Sequence, residues 1–168
     1  MKTRYIQYYV EGDDEEKLVN TLKTKLRVIK TGKVQKFNVV DQVITDMRLR
    51  TLSYGTMVVL VFDTDTGSVD ILKKNIKALK NCQAVSEIVL VPQVPNLEGE
   101  ILRSCNIRKI ENLLNSRSKG DFKRDILSIS NLDQKLKEHQ FNINLFWSQN
   151  PPQPYQNFSN DAKKLKLF

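Results

Sequence analysis

Thr56-Met-Val-Val-Leu-Val-Phe62, running directly into Asp63-Thr-Asp65-Thr-Gly67, is the stretch that decides how this chain is read. Its apolar residues follow one another without alternation, the pattern of a strand covered on both faces. The run from Met57 to Phe62 is far short of the roughly 20 residues that a membrane-spanning helix needs. It ends on two acids, two threonines and a glycine, which is good turn chemistry. A buried strand that stops at paired carboxylates places charge at the edge of a sheet.

Working outward, Tyr5 to Val10 is aromatic and β-branched and predicts a first strand. It stops at Glu11-Gly12-Asp13-Asp14-Glu15-Glu16. Leu18, Val19, Leu22 and Leu26 then recur at helical spacing. Asp13 or Asp14 can cap that helix, and the acids suit the positive end of its dipole. After a turn at Thr31-Gly32-Lys33 a second strand is expected near Val34 to Val40. An amphipathic stretch with Val43, Ile44, Met47 and Leu52 follows it. Beyond the central strand, Val69, Leu72, Ile76 and Leu79 mark a third helix, and Ala84 to Val91 a fourth strand closed by Pro92 and Pro95. The β-α-β-α-β-α-β succession predicts an α/β fold with a mostly parallel four-stranded sheet flanked by helices.

Past Pro95 the pattern changes. Glu98–Cys105, Arg108–Asn115, Asp121–Ile129 and Leu132–His139 predict short helices, Leu145-Phe-Trp147 an apolar anchor, and Pro151–Pro154 an extended segment. Residues 1–95 are therefore read as the α/β core, and 96–168 as a helical extension and tail packed on it. The 168 residues carry a net charge of +8, split evenly, with +4 on residues 1–91 and +4 on 92–168. A charge of this sign suits an acidic partner such as nucleic acid but does not name one. Cys82, Cys105 and a lone His139 do not make a zinc site, and both thiols read as reduced and structural. No apolar stretch of signal-peptide length follows Met1, so the expected location is cytoplasmic, with no membrane contact.

Two strands thus finish in acids, one at Glu11 and one at Asp63 and Asp65. In a parallel sheet the carboxyl ends of the strands share one edge, where sites collect. Carboxylates gathered there repel one another unless a cation neutralises them. Oxygen donors without His or Cys favour a hard ion, Mg2+ or Mn2+. Glu11 and Glu15, four apart, share a face if the helix begins near Gly12.

Tyr-Val-Glu11-Gly12 at the end of the first strand, with Val-Leu-Val-Phe-Asp63-Thr-Asp65-Thr-Gly67 two α/β elements later, resembles the paired motifs of the Toprim domain. The resemblance covers residues 5 to 92 and is closest to small stand-alone OLD-like and RloB-like members found beside phage-defence genes. It implies that Glu11 is the signature acid, that Asp63 and Asp65 hold Mg2+, and that Gly12 makes a tight turn near phosphate. Glu15 fits the further acid of the OLD-like Glu-Gly-x-x-Glu motif. An acid after the fourth strand, Glu98 or Glu100, is expected to join the metal site. The implied function is metal-dependent phosphodiester hydrolysis of DNA or RNA, with an ATPase or other defence-system protein as a candidate partner. Arg103, Arg108, Lys109, Arg117, Lys119, Lys123 and Arg124 crowd the extension and are the candidates for guiding the nucleic-acid backbone.

Blander readings compete. Glu11 and its neighbours can be only a helix start, Asp63 only a turn, the basic residues a solvated face, and Phe146 with Trp147 only core. Two other functions also compete. One is a Toprim module that binds nucleic acid or a partner without cutting. The other is a haloacid-dehalogenase-like phosphatase, whose Asp-x-Asp normally follows the first strand and leaves Glu11 unexplained.

Overall fold

The computed structural model describes residues 1–168. Its sheet contains β1 (Tyr5–Val10), β2 (Lys33–Lys36), β3 (Thr56–Asp63) and β4 (Val85–Gln93), in the order β2-β1-β3-β4 with every pair parallel. Helices α1 (Asp13–Thr24), α2 (Asp46–Arg50) and α3 (Val69–Lys80) fill the crossovers, and α4 (Leu97–Ser104), α5 (Lys119–Ser128) and α6 (Leu132–Glu138) follow β4. No helix is long and apolar enough to cross a membrane.

Every residue of β3 is buried. Met57, Val59 and Val61 enter one hydrophobic cluster with Leu18, Val19 and Leu22 of α1, while Val58, Leu60 and Phe62 enter another with Leu72 and Leu79 of α3. The period-2 alternation of a strand thus serves two cores, which is why this strand reads as uniformly apolar. The first cluster also takes in Ile101, Phe122, Ile126, Leu136, Phe146 and Trp147, so the extension shares a core with the sheet. The tail crosses to the other face, where Tyr155 packs beside Phe62 and donates its hydroxyl hydrogen to the Thr66 carbonyl at 2.8 Å. Asp161 then seals the exposed edge of β4, exchanging hydrogen bonds with the Leu90 carbonyl (2.8 Å) and the Leu90 N–H (3.1 Å).

Three expected elements come out shorter. The second strand ends at Lys36, because Asn38 starts a turn by accepting the Val40 N–H on its side chain and the Gln42 N–H on its carbonyl. The amphipathic stretch around Val43 yields only the five residues of α2, capped by Thr45. Buried Asn75 of α3 explains this: its side chain accepts from Ile44 N–H and donates to the Val39 and Gln42 carbonyls, each at 2.8 Å. Those groups are thereby spent on a loop and withdrawn from a helix. The stretch expected as Arg108–Asn115 is a single 3-10 turn at Ile110–Leu113.

Candidate metal centre at the carboxyl edge of the sheet

β1 and β3 are neighbours although α1, β2 and α2 separate them in sequence, so the chain reverses its winding direction between them. A crevice opens at such a switch point, outside the carboxyl ends of the strands. Glu11 leaves β1 there, Asp63 ends β3, and Glu15 sits in the first turn of α1. One carboxylate oxygen from each of the three lies within 4.8 Å of the others. The cleft around them measures about 300 Å³ and is lined also by Gly12, Asp14, Asp65, Thr66, Asn96, Glu98 and Lys123.

Glu15 and Asp63 are buried, at 6 % and 8 % exposure. Glu15 accepts the Gly12 N–H at 3.1 Å, the half of a capping box that a glycine N-cap allows, and Asp63 Oδ1 accepts from Gln93 Nε2 at 2.8 Å. Glu11 Oε2 is shielded from solvent and has no hydrogen-bond partner. Burial and the charges of Asp14 and Glu11 push the Glu15 carboxyl up to about 7. Burial, and then the charge of Glu11, push Asp63 well above the ordinary carboxylate range. Without a cation the cluster therefore keeps protons that free carboxylates would have lost.

This donor set fits a hard divalent cation. A shielded carboxylate oxygen without a partner is costly to leave unsatisfied. Ligand oxygens around one ion with bonds of roughly 2.0–2.1 Å stand about 3–4 Å apart, which falls inside the 4.8 Å that bounds the separations of the three acids. The one cation that lines the cleft, Lys123, is exposed and stands 3.9 Å from Glu98.

The other residues singled out from sequence divide sharply. Asp65 lines the cleft but is exposed, stands outside the three-acid cluster and accepts from Asn96 Nδ2 at 2.8 Å. Between the two acids after β4, Glu98 lines the cleft and Glu100 does not. Glu100 is fully buried, with Oε1 accepting the Val94 N–H and Oε2 the Trp147 N–H, so it serves the packing of the extension. Arg103 is tied to it by an ion pair at 2.8 Å and donates to the Val94 carbonyl, which removes it from the free cations. Arg124 pairs with Asp121, while Arg108, Lys109, Arg117 and Lys119 are exposed away from the cleft. Gly12 has an extended backbone (φ −147°) where a tight turn was expected, and a Cβ there would meet Glu15 Oε2 at an ordinary 3.4 Å.

Sequence reasoning missed Gln93 and Asn96, the polar neighbours of Asp63 and Asp65. The available signal was a glutamine closing the apolar run Ile88–Pro92. Fold and cleft together define the class: an α/β protein with a doubly wound parallel sheet and a buried acidic centre at its switch point. Comparison with protein-family models, with curated proteins and with solved structures found no match.

Proposed function

We propose that this chain is a Toprim-like, metal-dependent phosphodiesterase acting on nucleic acid. The observation that carries the reading is the shielded, unpartnered Glu11 Oε2 in a cluster with two buried carboxylates, Asp63 at the adjacent strand end and Glu15 in the first turn of α1. Glu11, Glu15 and Asp63 would hold the ion, with Asp65 and Glu98 at the mouth of the cleft. Bound Mg2+ or Mn2+ supplies Lewis-acid polarisation of a phosphate oxygen and a more acidic water. Lys123, exposed at the same mouth, offers charge to the phosphodiester backbone. The Asp65–Asn96 hydrogen bond steadies the loop that frames the opening.

Plasmid DNA and RNA incubated with the protein in Mg2+ or Mn2+, alongside thermal-shift titration of each ion, test the reading. Cleavage and ion-induced stabilisation that disappear together in Glu11→Gln and Asp63→Asn are expected. No response to millimolar ion would sink the metal centre. Ion binding with nucleic-acid retention but no turnover would make the protein a binding module. Phosphate release from small esters would favour the phosphatase.

A further inference from the structure

Asp63 does not face the cleft by itself. Its Oδ1 takes a hydrogen bond from Gln93 Nε2 at 2.8 Å, and Gln93 Oε1 lies 3.3 Å from the indole Nε1 of Trp147. All three side chains are buried, Gln93 and Trp147 to 1 % exposure. An indole N–H can only donate, so it selects the carbonyl end of the Gln93 amide. The NH2 end is then obliged to point at Asp63. This fixes Oδ1 as the acceptor of the Gln93 amide and so sets the orientation of the Asp63 carboxylate beside Glu11 and Glu15.

Trp147 is in turn held against its own backbone preference. Its φ of +51° lies in the left-handed region that bulky residues avoid. The Trp147 N–H donates to buried Glu100 Oε2 at 2.7 Å, and Asn160 Nδ2 donates to the Trp147 carbonyl at 3.2 Å. Glu100 is itself clamped by the Val94 N–H and by Arg103. The Gln93 backbone is pinned as well, its carbonyl accepting both the N–H and the hydroxyl of Thr64, next to Asp63. Strained backbone held by over-determined contacts is characteristic of positions where orientation matters.

We propose that Gln93, oriented by the indole of Trp147, is the positioning residue that aims the Asp63 carboxylate at the cation, so that the C-terminal extension sets the ion affinity of the site. The inference rests on the metal-centre reading above and extends it to Gln93 at the end of β4 and to Trp147, 54 positions further along the chain. Glu100, Arg103 and Trp147 thereby acquire one shared task, the support of Gln93. Partners of metal-ligating groups are worth roughly 10–100-fold in metal affinity.

The test uses the full chain with Mn2+ as the probe. Gln93→Met keeps the side-chain volume without an N–H donor, and Trp147→Phe keeps an aromatic ring without the indole N–H. Calorimetry should show Mn2+ affinity about 10–100-fold weaker in Gln93→Met, and a smaller loss in the same direction in Trp147→Phe. Ile126→Val in the shared core should lower the melting temperature and leave the affinity unchanged, which separates positioning from bulk stability. Trp147 is the sole tryptophan, so its indole N–H gives one resolved resonance in a 15N-correlated spectrum. In ion-free protein that resonance should shift in Asp63→Ala and in Gln93→Met. Unchanged Mn2+ affinity in both variants, or an indole resonance indifferent to Asp63→Ala, overturns the proposal. A wild type silent to Mn2+ whose indole still responds to Asp63→Ala overturns the metal reading and supports the wiring of Asp63 through Gln93.

Discussion

The two ends of the sheet carry cavities of similar size and opposite character. At the amino end, a pocket of about 360 Å³ is lined by Arg4, Gln7, Thr31, Lys33, Thr51 and Ser53, and its two cations are exposed and free of ion pairs. At the carboxyl end, a cleft of about 300 Å³ is lined by six carboxylates, three of them in a close cluster and two of those buried. The exposed cations remain solvated and cost little. The buried acids repel one another and resist ionisation, and burying such charge without compensation costs several kcal/mol. The difference teaches that the larger cavity is not the better candidate site; the one where the fold crowds acids that resist ionisation is.

Neutralising that charge should break the contrast most strongly. Asp63→Asn is expected to abolish ion-dependent cleavage and weaken Mn2+ binding beyond the roughly 100-fold ceiling of outer-shell partners. The same change should raise the ion-free melting temperature by about 2–5 °C, because relieving repulsion contributes on the order of 1–2 kcal/mol. Arg4→Ala at the amino end should change neither quantity. A lower ion-free melting temperature for Asp63→Asn in scanning calorimetry would show that the carboxylates are not in conflict.

The pH response ranks next. Folding raises the Glu15 carboxyl from 4.5 to about 7, so between those values the folded protein holds a proton that the unfolded chain has released. This contribution to stability is therefore present below pH 4.5 and lost as pH rises toward 7. Ion-free protein should melt roughly 5 °C or more lower at pH 8 than at pH 5. Saturating Mg2+ should flatten the slope, and Glu15→Gln should reduce it. A melting temperature that climbs from pH 5 to 8 without ion would contradict the buried acid cluster.

Two glycines sharpen the comparison. A Cβ on Gly32, at the amino end, would lie 2.6 Å from the Ile6 carbonyl oxygen; on Gly67, behind Asp65, it would overlap the Val40 side chain at a φ of +79°. Each alanine variant should cost about 2–3 kcal/mol in urea unfolding. Gly32→Ala should leave Mn2+ affinity untouched, since nothing it displaces reaches the acids. The smallest effect falls on Lys123→Ala, which should weaken nucleic-acid binding a few-fold and reduce the salt slope by about 1. An unaltered salt slope would remove Lys123 from the path of the backbone.

Much of the fold was legible because burial on both faces leaves a plain mark. The apolar runs of β1, β3 and β4, and the helical spacing of Leu18, Val19 and Leu22 or of Val69, Leu72, Ile76 and Leu79, describe elements that the structure contains. The stretch from Val34 to Leu52 misled because Asn38 and Asn75 settle it with side-chain hydrogen bonds, which leave no period to read. Glu11, Glu15 and Asp63 were identifiable since each stands where an apolar strand or a helix start meets a turn. Glu98 and Glu100, two residues apart on α4, were indistinguishable by type. A helix turns roughly 200° over that interval, so one reaches the cleft and the other the core.

The sequence by itself determined the alternation of strands and helices, the parallel sheet and the acids at two strand ends. These are local properties, written in hydrophobic period and turn chemistry. Only the tertiary structure decided that β1 and β3 lie side by side, that Asp65 stands apart from the three-acid cluster, and that Glu100 and Arg103 are spent on each other. It alone joined Trp147 to Asp63 through Gln93. Strand order and hydrogen-bond partnership depend on which distant surfaces bury one another, and no spacing along the chain encodes a contact between residues 63, 93 and 147.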